Sequence, residues 1–142
     1  MVNKQKQKGT GWERDLVNML QERVGGHWKR LPTSGAIGTA LGESKLTGDV
    51  VGRVDFLPKS IKIEAKVGYG GATQLTIKRE WLDKIRMEAE ADNAIPALAG
   101  KFSGARDGTK YFIAFDFDTF VYLMKLLEEQ QKELDKLYEN AG

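Results

Sequence analysis

Apolar residues recur at helical spacing in GWERDLVNMLQERVGG, where Trp12, Leu16, Met19, Leu20 and Val24 form one stripe and Gly25-Gly26 ends it. HWKRL then reads as a short strand closed by Pro32, and residues 33–47 (TSGAIGTALGESKLT) as a long glycine-rich loop. GDVVG and IKIEAKV are the next strands, joined through RVDFLPKS, whose Pro58 and Ser60 suit a turn. After a glycine-rich connection, VGYGGATQ, helical periodicity returns over 78–91 through Trp81, Leu82, Ile85 and Ala89. IPALAGKF and TKYFIAFDF complete the strands, with SGARDG as a hairpin connection. The pattern predicts an α/β fold of order α-β-β-β-α-β-β: a mixed central sheet flanked by helices.

The last segment differs. Phe120, Leu123, Leu127, Gln130, Leu134 and Leu137 repeat at alternating steps of three and four, with charged residues around them. This predicts a C-terminal helix over 120–140 whose seam either docks on its own domain or pairs with a second copy. We divide the chain into a main domain, 1–118, with a mobile basic tail at 1–9, and a helical extension, 119–142.

Composition narrows the chemistry. A chain of 142 residues, 41% hydrophobic and 30% charged, suits one soluble domain with its own core. No apolar run is long enough to cross a bilayer and the polar N-terminus has no signal-like segment, so a cytoplasmic location is expected. Zero cysteines exclude disulfides and thiolate catalysis, and the single His27 argues against a histidine-based triad. Any metal must therefore sit on oxygen ligands, which suit magnesium, calcium or manganese. A net charge of +2 says little about partners, but Lys4, Lys6 and Lys8 precede the first acid, Glu13. They either lie along phosphates or merely solubilise the terminus.

Strand alternation locates the candidate site. In IKIEAKV, Lys62, Glu64 and Lys66 share one face and Ile61, Ile63, Ala65 and Val67 the other. The polar face is either an ordinary solvated one or the start of an active site. If GDVVG and IKIEAKV form a hairpin, Asp49 and Glu64 converge at one end of the sheet. Paired carboxylates repel unless a cation neutralises them, and magnesium is the expected cation. Lys66 would then orient an attacking water and offset charge in phosphodiester hydrolysis. Asp55 is a rival acid, ranked lower because it sits beside the turn. Glu13 lies at the border of the first helix's apolar face, where it either reaches the metal site or complements the helix dipole. Arg14, Arg30 and the Thr33-Ser34-Gly35 loop are candidate contacts to a DNA backbone.

These motifs, in this order, resemble the PD-(D/E)xK nuclease superfamily and, within it, Holliday junction resolvases of archaeal type and their phage relatives. KGTGWERDLVNML resembles the opening helix, with its glutamate and arginine at Glu13 and Arg14. WKRLPTSG resembles the arginine strand and serine loop, at Arg30 and Ser34. GDVVG resembles the proline-aspartate motif and IEAK the E-x-K motif, which gives Asp49 and Glu64 as metal ligands and Lys66 as the catalytic lysine. The chain departs from the pattern at Gly48, which replaces the proline, in the length of the loop between Ser34 and Asp49, and in its C-terminal helix. The resemblance implies a restriction-endonuclease-like core and Mg2+, with Mn2+ as a substitute. It also implies a homodimer that binds a four-way DNA junction and nicks two opposed strands. Glu13 and Ser34 join the catalytic set on the same ground, and Glu13 the metal ligands. Two rival readings stand beside it: a nuclease of this fold acting on other branched or linear DNA, and a non-catalytic dimeric DNA-binding protein.

Overall fold

The computed structural model describes residues 4–31 and 49–141, with side chains from residue 9 onward; the predicted serine loop and Ser34 lie outside the described residues. The chain runs α1 (Lys4–Arg23), β1 (His27–Arg30), β2 (Val50–Arg53), β3 (Ile61–Val67), α2 (Arg79–Ala91), β4 (Ile95–Lys101), β5 (Tyr111–Ala114) and α3 (Phe117–Ala141). The five strands form one mixed sheet in the order β1-β2-β3-β4-β5, with β3 and β4 parallel and every other pair antiparallel. This is the predicted architecture. Among the described residues no helix is long and apolar enough to cross a membrane.

Two element starts differ from expectation. α1 begins at Lys4 rather than Gly11, so most of the predicted basic tail is helical backbone. Lysine and glutamine propagate a helix well, but they leave no apolar periodicity for a reader to find. α3 starts at Phe117 because Asp116 precedes it as a cap, its carboxylate accepting from the Thr119 N–H at 3.2 Å and from the Thr119 hydroxyl.

The helices cover opposite faces of the sheet. Trp12 and Leu16 of α1 pack with Trp28, Val50, Val54, Ile63, Ala97 and Ala99 to form the main core. Ile63, Ala97 and Ala99 lie on one face by alternation and by register. Trp81, Ile85 and Ala89 of α2 are buried on the other face, near Leu98, which has 0% exposure. At about 25 cal/mol per Å2 of apolar surface, each large side chain in these layers contributes on the order of 1.5–3 kcal/mol. The chain turns from α1 into β1 through Gly25 and Gly26, both with φ near +90°, a conformation disfavoured for other residues. Across the β1–β2 ladder Trp28 lies opposite Gly52, and a Cβ at Gly52 would come within 2.0 Å of the indole ring, closer than van der Waals contact permits.

The polar face of β3 is covered rather than solvated. Lys62 and Glu64 are 0% and 3% exposed beneath α2. Lys62 turns to Asp92, just beyond α2, with Nζ 3.3 Å from Oδ2. The predicted seam of α3 does not dock on its own domain over most of its length. Phe120, Leu127, Leu134 and Leu137 are 49%, 57%, 47% and 65% exposed, while Gln130 Nε2 donates to the Phe56 carbonyl at 3.0 Å.

Candidate active site

The site forms where two strands part. β2 pairs with β3 only from Ile61 to Ile63, whereas β3 continues to Val67 with β4 as its one strand partner among the described residues. Asp49 stands at the parting point: its N–H donates to the Ile63 carbonyl at 3.0 Å and its carbonyl accepts from the Leu31 N–H at 2.9 Å. Its carboxylate reaches past the end of the ladder, where Oδ2 accepts from the Ala65 N–H at 2.8 Å. A donor that β2 no longer reaches is thereby satisfied by the acid itself. Asp49 and Glu64 are thus brought together, as the hairpin expectation required. Asp55 lies exposed in the turn beyond the far end of β2.

Glu64 is the most enclosed of the acids, and two amines face it. Lys66 Nζ lies 3.3 Å from its Oε1 and Lys84 Nζ 3.4 Å from both of its oxygens. Lys84 comes from α2 and was not singled out from the sequence. The available signal was weak: Trp81, Lys84, Ile85 and Glu88 share a helix face, so this lysine borders the buried stripe. Lys66 is also held over the Trp81 indole at 4.7 Å, and Tyr69 meets that ring edge-on at 4.6 Å. Burial pushes the Glu64 carboxyl above its usual range and the Asp49 charge adds to this, against the pull of Lys84 and Lys66.

Glu13 arrives from α1. Its side chain is 17% exposed, and Arg30 Nε, at the end of β1, lies 3.5 Å from its Oε2. That Arg30 nitrogen is buried with no hydrogen-bond partner among the described residues, so its contact with Glu13 is a charge pair only. Burial first, and then the Asp49 charge, raise the Glu13 pKa from 4.5 to about 7; a hydrogen bond with Asp49 and the more distant Glu64 charge act in the same direction. Arg14, the neighbour of Glu13, is exposed instead of turned into this group. Lys4, Lys6 and Lys8 sit on the first turns of α1, and their side chains lie outside what is described.

Glu13, Asp49 and Glu64 therefore interact, but no three acidic, histidine or cysteine side chains among the described residues form a finished metal cage. The donor set nevertheless fits a hard divalent cation. It consists of carboxylate oxygens, and two of the acids are pushed up by Asp49, a penalty that an added cation would relieve.

With this geometry in view, comparison with known proteins gives a family and a likeness among solved structures. The family model described as "Phage putative PDDEXK endonuclease" matches residues 4–138, nearly the whole chain and most of α3. A search of curated proteins finds no match. Among solved structures the chain is similar to Hjc of Archaeoglobus fulgidus, a Holliday junction resolvase from an archaeal hyperthermophile. The identity is 19%, the match covers 81% of this chain and 88% of that one, and the TM-score is 0.49.

Proposed function

Because the chain belongs to the phage PDDEXK endonuclease family, we propose that Glu13, Asp49 and Glu64 hold a divalent cation at which the protein hydrolyses DNA phosphodiester bonds. Magnesium is the expected ion and manganese its substitute. The substrate in this reading is a four-way junction in the cytoplasm, cut by a homodimer with one nick per subunit. The observation that carries it is the placement of Asp49, whose backbone closes the β2–β3 ladder while its carboxylate lies beside Glu64 and Glu13. The resemblance of the ordered motifs, taken as a set, to junction resolvases supports the junction as substrate; E-x-K alone does not separate it from other DNA.

The chemistry such an ion supplies is Lewis-acid activation of phosphate and water. The protein's own groups do the rest. Lys66 is fixed between Glu64 and Trp81, so its ammonium presents donors to an attacking water and offsets charge on the phosphorane-like transition state. Arg30 steadies Glu13 at the rim. Arg14, exposed beside it, is free to take a DNA phosphate, and Lys4, Lys6 and Lys8, on the first turns of the same helix, add basic residues for the backbone. Ser34, which lies outside the described residues, keeps its proposed places in the catalytic set and as a DNA-backbone contact. The exposed seam of α3 gives a second copy an apolar strip to cover, and an isologous dimer matches a two-fold junction with two equivalent sites.

The test is strand cleavage of a labelled four-way junction beside a linear duplex of matching sequence, with and without magnesium. Paired, magnesium-dependent nicks confined to the junction are expected. Equal cutting of the duplex would remove the resolvase reading and leave a nuclease of broader substrate. Tight binding without cutting, in manganese as well, would favour a non-catalytic protein.

A further inference from the structure

Lys84 is the group at the site that neither the E-x-K pattern nor the proposed hydrolysis uses. Its ammonium lies 3.4 Å from both oxygens of Glu64, a bridging position in front of the carboxylate that the proposed metal would need. Glu64 already has Lys66 at 3.3 Å, so a second amine is more than one carboxylate requires for pairing. Of the two lysines, Lys84 is the more loosely held, with its side chain 47% exposed against 20% for Lys66.

One turn further along α2, Glu88 faces the same lysine, with Oε1 3.9 Å from Nζ. The Glu88 side chain is 15% exposed, and its Oε2 is buried with no hydrogen-bond partner among the described residues. A buried carboxylate oxygen left without a donor is costly and rare in a settled structure. Here it lies within reach of a flexible four-carbon side chain that would only have to swing along its own helix.

We propose that Lys84 is a positioning residue with two resting places. Without metal it bridges the oxygens of Glu64, and when a divalent cation takes Glu64 it transfers to the vacant oxygen of Glu88. The inference rests on the metal-site reading and deepens it. Lys84 competes with the ion for Glu64, keeping the empty site close to charge balance, and Glu88 offsets the cost of giving way. Nothing is transferred but the position of one ammonium group.

The test is Mn2+ binding to the DNA-free protein by calorimetry at alkaline pH, where proton competition for the carboxylates is weakest. Lys84→Met should bind Mn2+ more tightly, on the order of tenfold, because a cation next to the ion is gone. Glu88→Gln should bind it more weakly, by roughly threefold, since the displaced lysine loses its acceptor. In the Lys84→Met background Glu88→Gln should change little, a non-additivity that two purely structural substitutions would not produce. Lys84→Gln, which keeps a polar chain on the helix face, should reproduce Lys84→Met if charge is what matters. Unchanged or weaker Mn2+ binding in both Lys84 variants would overturn the proposal, as would an equal Glu88→Gln effect in both backgrounds. Asp49→Asn separates the two levels of inference. If the wild type binds Mn2+ and Asp49→Asn abolishes it while the lysine variants change nothing, only the two-position role fails. If the wild type binds no Mn2+, the metal-site reading falls and the Lys84 role falls with it.

Discussion

Replacing Glu13 by Gln should stabilise the metal-free protein at neutral and alkaline pH. Glu13 is an acid with a pKa raised from 4.5 to about 7, chiefly by burial and then by the Asp49 charge. An acid whose pKa is higher in the folded state binds more protons when folded than when unfolded. Its contribution to stability is therefore full below pH 4.5 and is lost as the pH rises through about 7. That difference, at about 1.4 kcal/mol per pH unit, sets a ceiling of about 3 kcal/mol. Because Asp49 and Glu64 share the repulsion, a working value of roughly 1–3 kcal/mol is reasonable. Glutamine mimics the protonated acid in shape and retains a donor for Asp49. Urea unfolding in EDTA should then find wild type and Glu13→Gln equal in stability at acid pH, with the variant pulling ahead as pH increases. Saturating Mn2+ should narrow the gap, because the ion removes the repulsion that the substitution relieves. A variant equal to or weaker than wild type at alkaline pH, or a gap that does not vary with pH, would refute the reasoning.

Other perturbations probe separate parts of the molecule. Lys66→Met should retain junction binding in Ca2+ while strand cleavage drops, by about 10²–10³ if its main role is to stabilise developing charge; a single-turnover assay reads the loss, and wild-type rates would remove Lys66 from the chemistry. Changing Leu127 and Leu134 together to Glu should turn the proposed dimer into monomers in sedimentation velocity, since both are 47% or more exposed on the α3 seam; an unchanged dimer would place the interface elsewhere, and a monomeric wild type would remove the dimer from the account. Gly52→Val should destabilise the fold by about 1–3 kcal/mol, as an overpacked site does, because the new side chain must displace the Trp28 ring; thermal unfolding would show it, and an unchanged midpoint would mean the ladder adjusts freely.

The parts of the site carried by neighbouring strands were legible in the sequence. Asp49 directly precedes β2 and Glu64 lies in β3, strands joined by a turn, so alternation and a hairpin suffice to bring them together. Glu13 was legible as a border residue of α1, though its pairing with Arg30 depends on how α1 crosses β1. Lys84 was not legible. It reaches Glu64 only because α2 packs over the polar face of β3, a tertiary choice that leaves no local periodic mark. The same packing explains Lys62. Alternation gave it the face of Glu64, but the end of α2 brings Asp92 to it and the lysine turns there. The heptad-like seam of α3 left docking and pairing equally open, because an apolar stripe specifies that something covers it without naming what. The first turns of α1 are not legible in the sequence, since lysine and glutamine carry helix propensity without an apolar stripe.

The most direct test is the cleavage of a labelled four-way junction by wild type, Asp49→Asn and Glu64→Gln, in magnesium and in EDTA, with junction binding measured in parallel. The account predicts magnesium-dependent nicking by wild type alone and nearly equal binding by all three proteins. Full activity in either folded variant would contradict the assignment of these carboxylates to a metal-dependent nuclease centre.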